Sequence, residues 1–368
     1  MDILRSISRT RLFTGESISI RYTLTGRYPI AIHAEALPTV RMKIGFVSTK
    51  SQRVIVKQNT LTVIEWIISF RSRGEKDISS LLISVKDPLG LFSYAVRYYL
   101  SEKVLVLPTV MEFETLPLRL RELSPGKRSD FKLMEDLTDF RGIREYHGEP
   151  LNRIHWKTSA KMGALYSREF GYTAVSRTRL YLHLNLTGEV FARDVWEKIR
   201  LSYEELSVRI AASFIRNVYL SHGRISLVTV GEDVKRIDGT GRDWIDFFEI
   251  LSTVGGRDEG EELYKVLEQD LSSFDPSTTV VILSLYLGEE ILPYLVRARS
   301  RACQVVVILL PFGIREPGRL PGRSYQMLPR AIENLKKRAL LLEEERIVVR
   351  IVEDNQSLHE VLDEIQAR

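Results

Sequence analysis

The chain is 368 residues long, with 44% hydrophobic and 27% charged residues. At roughly 150 residues per domain, this length predicts two or three domains, and the composition excludes a disordered, collagen-like or coiled-coil chain. Basic residues exceed acidic ones by 53 to 48, a net +5, and so small an excess points to no nucleic-acid partner.

The charge is unevenly spread. Residues 1–112 carry 16 basic and 9 acidic side chains, residues 113–176 carry 11 and 9, and residues 177–368 carry 26 and 30. Cys303 is the single cysteine, which excludes an intramolecular disulfide and a cysteine-based zinc site and fits a reducing compartment. The longest apolar runs, such as Val305–Phe312, fall short of the roughly 18 residues needed to span a bilayer. Met1–Thr10 alternates polar and apolar residues, unlike a signal peptide.

In chain order, residues 1–110 read as an all-β domain. Ile18–Leu24 alternates at period two, as do Met42–Val47, Val54–Lys57, Leu61–Phe70 and part of Leu82–Val85, the pattern of half-buried strands. Turn clusters such as Gly26-Arg-Tyr-Pro29 and Arg71-Ser-Arg-Gly74 separate them. Such short strands predict an Ig-like β-sandwich, with Pro108 ending its last strand.

Residues 111–176 are polar, rich in both charges and short of regular periodicity. They read as a long irregular connection, a kind of segment that is commonly functional. Residues 177–368 alternate strands and helices. Thr178–Leu184, Arg224–Val230, Thr279–Leu285, Cys303–Leu310 and Ile347–Val352 are the apolar strands. Helices are predicted at Trp196–Leu220, Trp244–Leu251, Glu261–Leu271, Glu289–Arg299, Met327–Leu342 and Ser357–Ala367. Continuous apolar strands between amphipathic helices predict a doubly wound parallel sheet, whose ligands sit at the carboxyl ends of the strands.

Residues 140–170 read Phe140-Arg-Gly-Ile-Arg-Glu-Tyr-His-Gly-Glu-Pro-Leu-Asn-Arg-Ile-His-Trp-Lys-Thr-Ser-Ala-Lys-Met-Gly-Ala-Leu-Tyr-Ser-Arg-Glu-Phe170. This stretch resembles the signature of the DUF58 family. Asp87-Pro-Leu-Gly-Leu-Phe92 and Arg73-Gly74 resemble two further segments of that family, so the resemblance spans essentially the whole chain. It implies a β-sandwich, a signature connector and a von Willebrand factor A-like α/β domain. It also implies a non-enzymatic scaffold or adaptor that docks a MoxR-type AAA+ ATPase in an assembly or metal-insertion system. The family's usual layout begins with two transmembrane helices, so the expected location is the cytoplasm, with membrane association at its cytoplasmic face through an anchor upstream of Met1. The sequence departs from the signature at Glu149-Pro150, where an acidic pair is reduced, and at His155, which replaces an acidic residue.

A von Willebrand A-like domain can hold Mg²⁺ through carboxylate and hydroxyl oxygens after its first strand. Here the corresponding residues are Asn185, Thr187 and Glu189. Asn185 brings a neutral carbonyl where the carboxylate should stand, so the expectation is no cofactor, with Asn185 and Thr187 capping a turn instead. A metal-dependent adhesion module remains the alternative, as does an enzyme of unrecognised class acting through the arginines.

The signature's side chains Arg141, Arg144, Glu145, Tyr146, Arg153, Trp156, Lys157, Lys161, Arg168 and Glu169 are candidates for a partner surface or an interdomain clamp. Arginine pairs bidentately with carboxylate and phosphate, yet the adjacent Arg144-Glu145 and Arg168-Glu169 favour internal pairing and a clamp. Trp156 and Tyr146 are expected to be buried anchors between domains. His147 and His155 lack zinc-ligand spacing and read as a turn residue and an internal hydrogen-bonding partner. His183 alternates with apolar residues and reads as a satisfied core histidine. There is no G-x-S-x-G, Walker A or G-x-G-x-x-G motif, so no hydrolase, nucleotide or dinucleotide site is predicted.

Overall fold

A computed structural model describes residues 2–26, 32–42, 46–47, 49–86, 91–110, 134–146, 154–173, 177–185, 193–220, 223–257, 262–275, 278–302, 304–311 and 328–352. The chain combines all-β and α/β architecture. Its first nine strands are β1 (Asp2–Ile7), β2 (Arg11–Phe13), β3 (Ser17–Thr25), β4 (Ile32–Arg41), β5 (Phe46–Val47), β6 (Gln52–Val56), β7 (Leu61–Ser69), β8 (Gly74–Lys86) and β9 (Ser93–Leu107).

They form two sheets, one ordered β1-β3-β7 and one ordered β2-β9-β8-β4-β5, with β6 added to β4. The period-two pattern explains the pairing. In β3, Ile18, Ile20, Tyr22 and Leu24 are buried, while Ser17 before them and Arg21 between them stay exposed. The same alternation buries Ile64, Trp66 and Ile68 in β7. These side chains meet Ala36, Val40, Ile78, Leu81 and Ile83 of the facing sheet in one core, with Trp66 edge-on to Tyr22 at 5.7 Å between centroids.

The region that lacked periodicity is not all irregular. It contains β10 (Met134–Glu145), α1 (Trp156–Met162) and β11 (Tyr166–Thr173). β10 and β11 pair antiparallel, with register breaks between Asp136 and Phe140 and between Phe140 and Gly142. Those breaks interrupt the alternation that a strand otherwise writes into a sequence, which is why the ribbon escaped notice.

The C-terminal part is a six-stranded sheet ordered β14-β13-β12-β15-β16-β17. Its strands are β12 (Arg177–His183), β13 (Arg224–Val230), β14 (Val234–Asp238), β15 (Thr278–Ser284), β16 (Gln304–Leu309) and β17 (Val348–Ile351). All neighbours pair parallel except β14, which lies antiparallel on β13. The strands are nearly continuous in apolar residues because both faces are covered. One face, including Leu180, Leu182, Leu227 and Leu283, packs on α2 (Arg193–Leu220) and α3 (Trp244–Thr253). The other, including Tyr181, Val228 and Ile282, packs on α4 (Leu263–Asp270), α5 (Leu292–Arg301) and α6 (Pro329–Glu344). Cys303 and the predicted last helix at Ser357–Ala367 lie outside the described residues.

The sandwich rests on α2 and α3. Phe13, Leu105 and Leu107 join the same core as these helices. Trp244 stacks on Phe13 at 6.3 Å and meets Phe248 edge-on at 4.9 Å. Arg11 adds an ion pair with Glu249 at 2.8 Å.

Candidate functional site

The signature residues surround α1. The helix starts at His155, whose Nδ1 accepts a hydrogen bond from the Thr158 amide at 3.2 Å. It stops at Gly163, whose φ of 68° is the left-handed conformation that glycine adopts without penalty. Ser159 is its buried residue. The Ser159 hydroxyl donates to the His155 carbonyl at 3.2 Å and accepts from the Tyr166 amide at 2.9 Å. A further amide bond, His155 to the Tyr166 carbonyl at 2.8 Å, and the Ile154–Ser167 bridge tie the entry of α1 to β11. His155 is thus the internal hydrogen-bonding residue expected of it.

Trp156 is not a buried anchor. It is 62% exposed, because it is the first residue of α1 and the helix turns its Ser159 side, not Trp156, toward β11. Tyr146 is half-buried. Beyond Trp156, Met162 is 60% exposed, Leu165 46% and Ile143 38%. Lys157, Lys161, Arg168, Arg144 and Glu145 are also exposed, and Arg144 and Glu145 each keep an interaction partner. The side chains of Arg141 and Glu169, and the whole of Arg153 and His147, lie outside the described part of the structure. The structure therefore places exposed apolar and basic side chains together on the β10–α1–β11 module.

An interdomain clamp is built by Arg73. Arg73, just before β8, is buried and directs its guanidinium at the C-terminal domain. Its Nε donates to the Leu251 carbonyl at 3.0 Å, its Nη2 to the Val254 carbonyl at 2.7 Å, and its Nη1 pairs with Glu205 at 2.8 Å. A planar fork with fixed donors suits three acceptors from two helices. Gly74 has φ of 105°, a backbone only glycine takes easily, and this turns the chain so that Arg73 points out of the sandwich. Lys76 is buried beside it and donates to the Ser72 hydroxyl and the Arg73 carbonyl, both at 3.0 Å. Burial pushes its pKa down, with Glu205 opposing and Arg73 reinforcing that shift. The Arg73-Gly74 pair was visible in the sequence as part of the family resemblance, but nothing local revealed its partners.

At the carboxyl edge of the C-terminal sheet, Asn185 is buried and both ends of its amide are engaged. Its Nδ2 donates to the Gly231 carbonyl and its Oδ1 accepts from the Arg257 amide, each at 2.9 Å. It ties the loops after β13 and α3 together, while the strand-to-helix turn that it was expected to cap lies outside the described residues. Thr187 and Glu189 lie outside the described residues. Among the described residues, no three His, Cys, Asp or Glu side chains group as metal ligands. Behind Asn185, Glu204 accepts from the Gly256 amide at 3.0 Å and from Arg200 at 3.1 Å. Gly256 packs so closely that a β-carbon there would strike the Leu184 carbonyl.

His183 pairs through Nδ1 with the Ser284 hydroxyl at 2.9 Å, across the junction where β12 meets β15. Ser284 in turn donates to the Tyr286 carbonyl at 2.7 Å. The hydroxyl proton is committed to that carbonyl, so Nδ1 of a neutral His183 is the donor to Ser284. Burial pushes the His183 pKa down to about 4, so the ring is neutral at pH 7. This is the satisfied core histidine read from the sequence.

No family model matches the chain, and no curated protein matches it. Solved structures share parts of it. The complex of zinc 2-glycoprotein with prolactin inducible protein from human seminal plasma matches at 8% identity over 28% of this chain and 92% of that one, with a TM-score of 0.23. The C-terminal domain of wzt matches at 13% identity over 30% and 72%, with a TM-score of 0.25. The PmoD soluble domain from Methylocystis sp. ATCC 49242 matches at 9% identity over 28% and 90%, with a TM-score of 0.18.

Proposed function

We propose that this chain is a non-enzymatic adaptor that docks a protein partner through the β10–α1–β11 module. The observation that carries the proposal is the exposure of Trp156, 62% open to water at the head of a helix that also presents Met162, Lys157 and Lys161. Leaving such a ring in water forgoes about 25 cal/mol for each Å² of apolar surface. Tryptophan and arginine are also the side chains that dominate protein interfaces. The nearby cations favour an acidic partner surface.

The DUF58 resemblance supports a MoxR-type AAA+ ATPase as that partner, in an assembly or metal-insertion system at the cytoplasmic face of a membrane. The antiparallel edge strand β14 on an otherwise parallel sheet supports a von Willebrand A-like reading of the C-terminal domain, and the two facing sheets support an Ig-like reading of the N-terminal one. The Mg²⁺-dependent adhesion alternative is the weaker reading, because the Asn185 amide is already spent on two backbone groups.

Titration of a MoxR-type ATPase with the intact chain by calorimetry tests the proposal. Trp156→Ala is expected to weaken binding about tenfold or more, as is typical of a central aromatic anchor. Lys157→Glu and Arg144→Glu should weaken it in a salt-dependent way, the first with its thermal midpoint unchanged. Unaltered affinity in all three variants would count against the module as the docking surface.

A further inference from the structure

A second surface lies on the N-terminal sandwich, on the outer face of the β1-β3-β7 sheet. The strand registers place Leu4 beside Thr23 and Thr23 beside Val63, with the next row set by Ser6, Arg21 and Glu65. Leu61 and Ile67 continue the β7 column on either side. These four apolar side chains stand well out in water: Leu4 is 72% exposed, Leu61 69%, Val63 56% and Ile67 77%. Alternation in a half-buried strand should place polar residues at such positions, and β3 obeys, with Ser17, Ser19, Arg21, Thr23 and Thr25 outward. β7 does not, since three of its five outward residues are Leu61, Val63 and Ile67. Among the described residues, contacts to the C-terminal domain come from β2, β8, β9 and Arg73, away from this face.

We infer that this face is a self-association surface whose occupant is the same face of a second copy. The charge pattern selects that occupant. Among the outward residues of β1, β3 and β7, Asp2 at one end aside, there are one cation and one anion, Arg21 and Glu65, already 3.7 Å apart, and Glu65 also accepts from Ser19. An acidic protein, a nucleic acid or an anionic lipid surface finds no complementary field there. An identical face brings balanced charge and an equal apolar row, which is the condition for an isologous twofold contact. Extent sets its strength. A nine-residue strand and three strand spacings define a patch of about 30 by 14 Å, about half the area of roughly 800 Å² per partner that a stable complex buries. The dimer is therefore weak and concentration-dependent.

Sedimentation velocity of the intact chain from about 5 μM to about 1 mM tests this, a span that covers weak association. The expected result is a mass that climbs toward the dimer over that range in wild type. The double variant Val63→Lys/Ile67→Lys is expected to stay monomeric, its circular dichroism and thermal midpoint unchanged because both side chains already point to water. Arg21→Glu, which leaves each copy with unpaired acids on the face, is expected to suppress association more strongly at low salt than at high salt. A wild-type chain that remains monomeric to the top of the range overturns the inference. So does a Val63→Lys/Ile67→Lys variant that dimerises like wild type, or wild-type co-sedimentation with anionic vesicles in place of self-association.

Discussion

Arg73 of the sandwich pairs with Glu205 of α2 at 2.8 Å while its other donors hold the Leu251 and Val254 carbonyls. One side chain thus ties the N-terminal domain to two helices of the C-terminal one. Replacing it leaves two carbonyls and a carboxylate without their donor, the expensive side of a buried polar contact.

Arg73→Met is expected to destabilise the chain by about 2–4 kcal/mol. Arg73→Lys should recover little of this, since an ammonium cannot meet three acceptors set around a planar fork. Urea unfolding followed by the fluorescence of Trp244, which lies in the interdomain aromatic cluster, measures both. A split into two transitions would show the domains unfolding separately once the latch is gone.

Asn185→Ala is expected to cost about 2 kcal/mol, because the Gly231 carbonyl and the Arg257 amide lose their shared partner. Asn185→Asp keeps the acceptor for Arg257 but sets a carboxylate oxygen against the Gly231 carbonyl, so it should also destabilise. Thermal melts with and without millimolar Mg²⁺ are expected to coincide for wild type. A midpoint that rises with Mg²⁺ would instead favour the adhesion reading.

His183 gives acid sensitivity of known sign. Its folded pKa, about 4, lies below the ordinary 6.5, so the unfolded chain binds the proton more readily. Its stability contribution is fully present above pH 6.5 and is lost as pH falls toward 4, amounting to about 3 kcal/mol over the whole interval. Chemical denaturation at pH 4, 5, 6 and 7 should show this fall in wild type and a flatter profile in His183→Gln. Equal profiles would mean that other groups govern acid unfolding.

His155→Asp should strengthen α1. An imidazole now accepts the Thr158 amide at the helix start, and a carboxylate does this better while also meeting the positive end of the helix. A gain of about 0.5–1 kcal/mol is expected, read as slower amide exchange at Thr158 and Ser159. Unchanged exchange would show that Ser159, not the cap, holds the helix.

Periodicity carried most of the architecture. Ile18–Leu24 shows its inward face by alternation alone, and Thr279–Leu285 shows by its unbroken apolar run that both faces are covered. The β10–β11 ribbon was hidden because its register breaks disrupt that alternation. At the site, the sequence marked the dense stretch from Phe140 to Phe170 and His155 as an internal hydrogen-bonding residue. It misjudged Trp156, since an aromatic residue in a charged setting reads the same whether it is buried or presented.

The sequence by itself determined the division into a β-rich first part and an alternating strand–helix last part, and the inward faces of strands such as β3, because those properties repeat along the chain at the pitch of the backbone. Only the tertiary structure decided which exposed face stays open and which charge becomes the latch. Arg73 meets Leu251 across 178 residues of sequence, and its worth depends on three acceptors that no local pattern foretells. The uneven charge of the two domains is visible in the composition, but among the described residues they are joined by Arg73, by the Arg11–Glu249 ion pair and by a shared apolar cluster around Phe13, Leu107, Trp244 and Phe248.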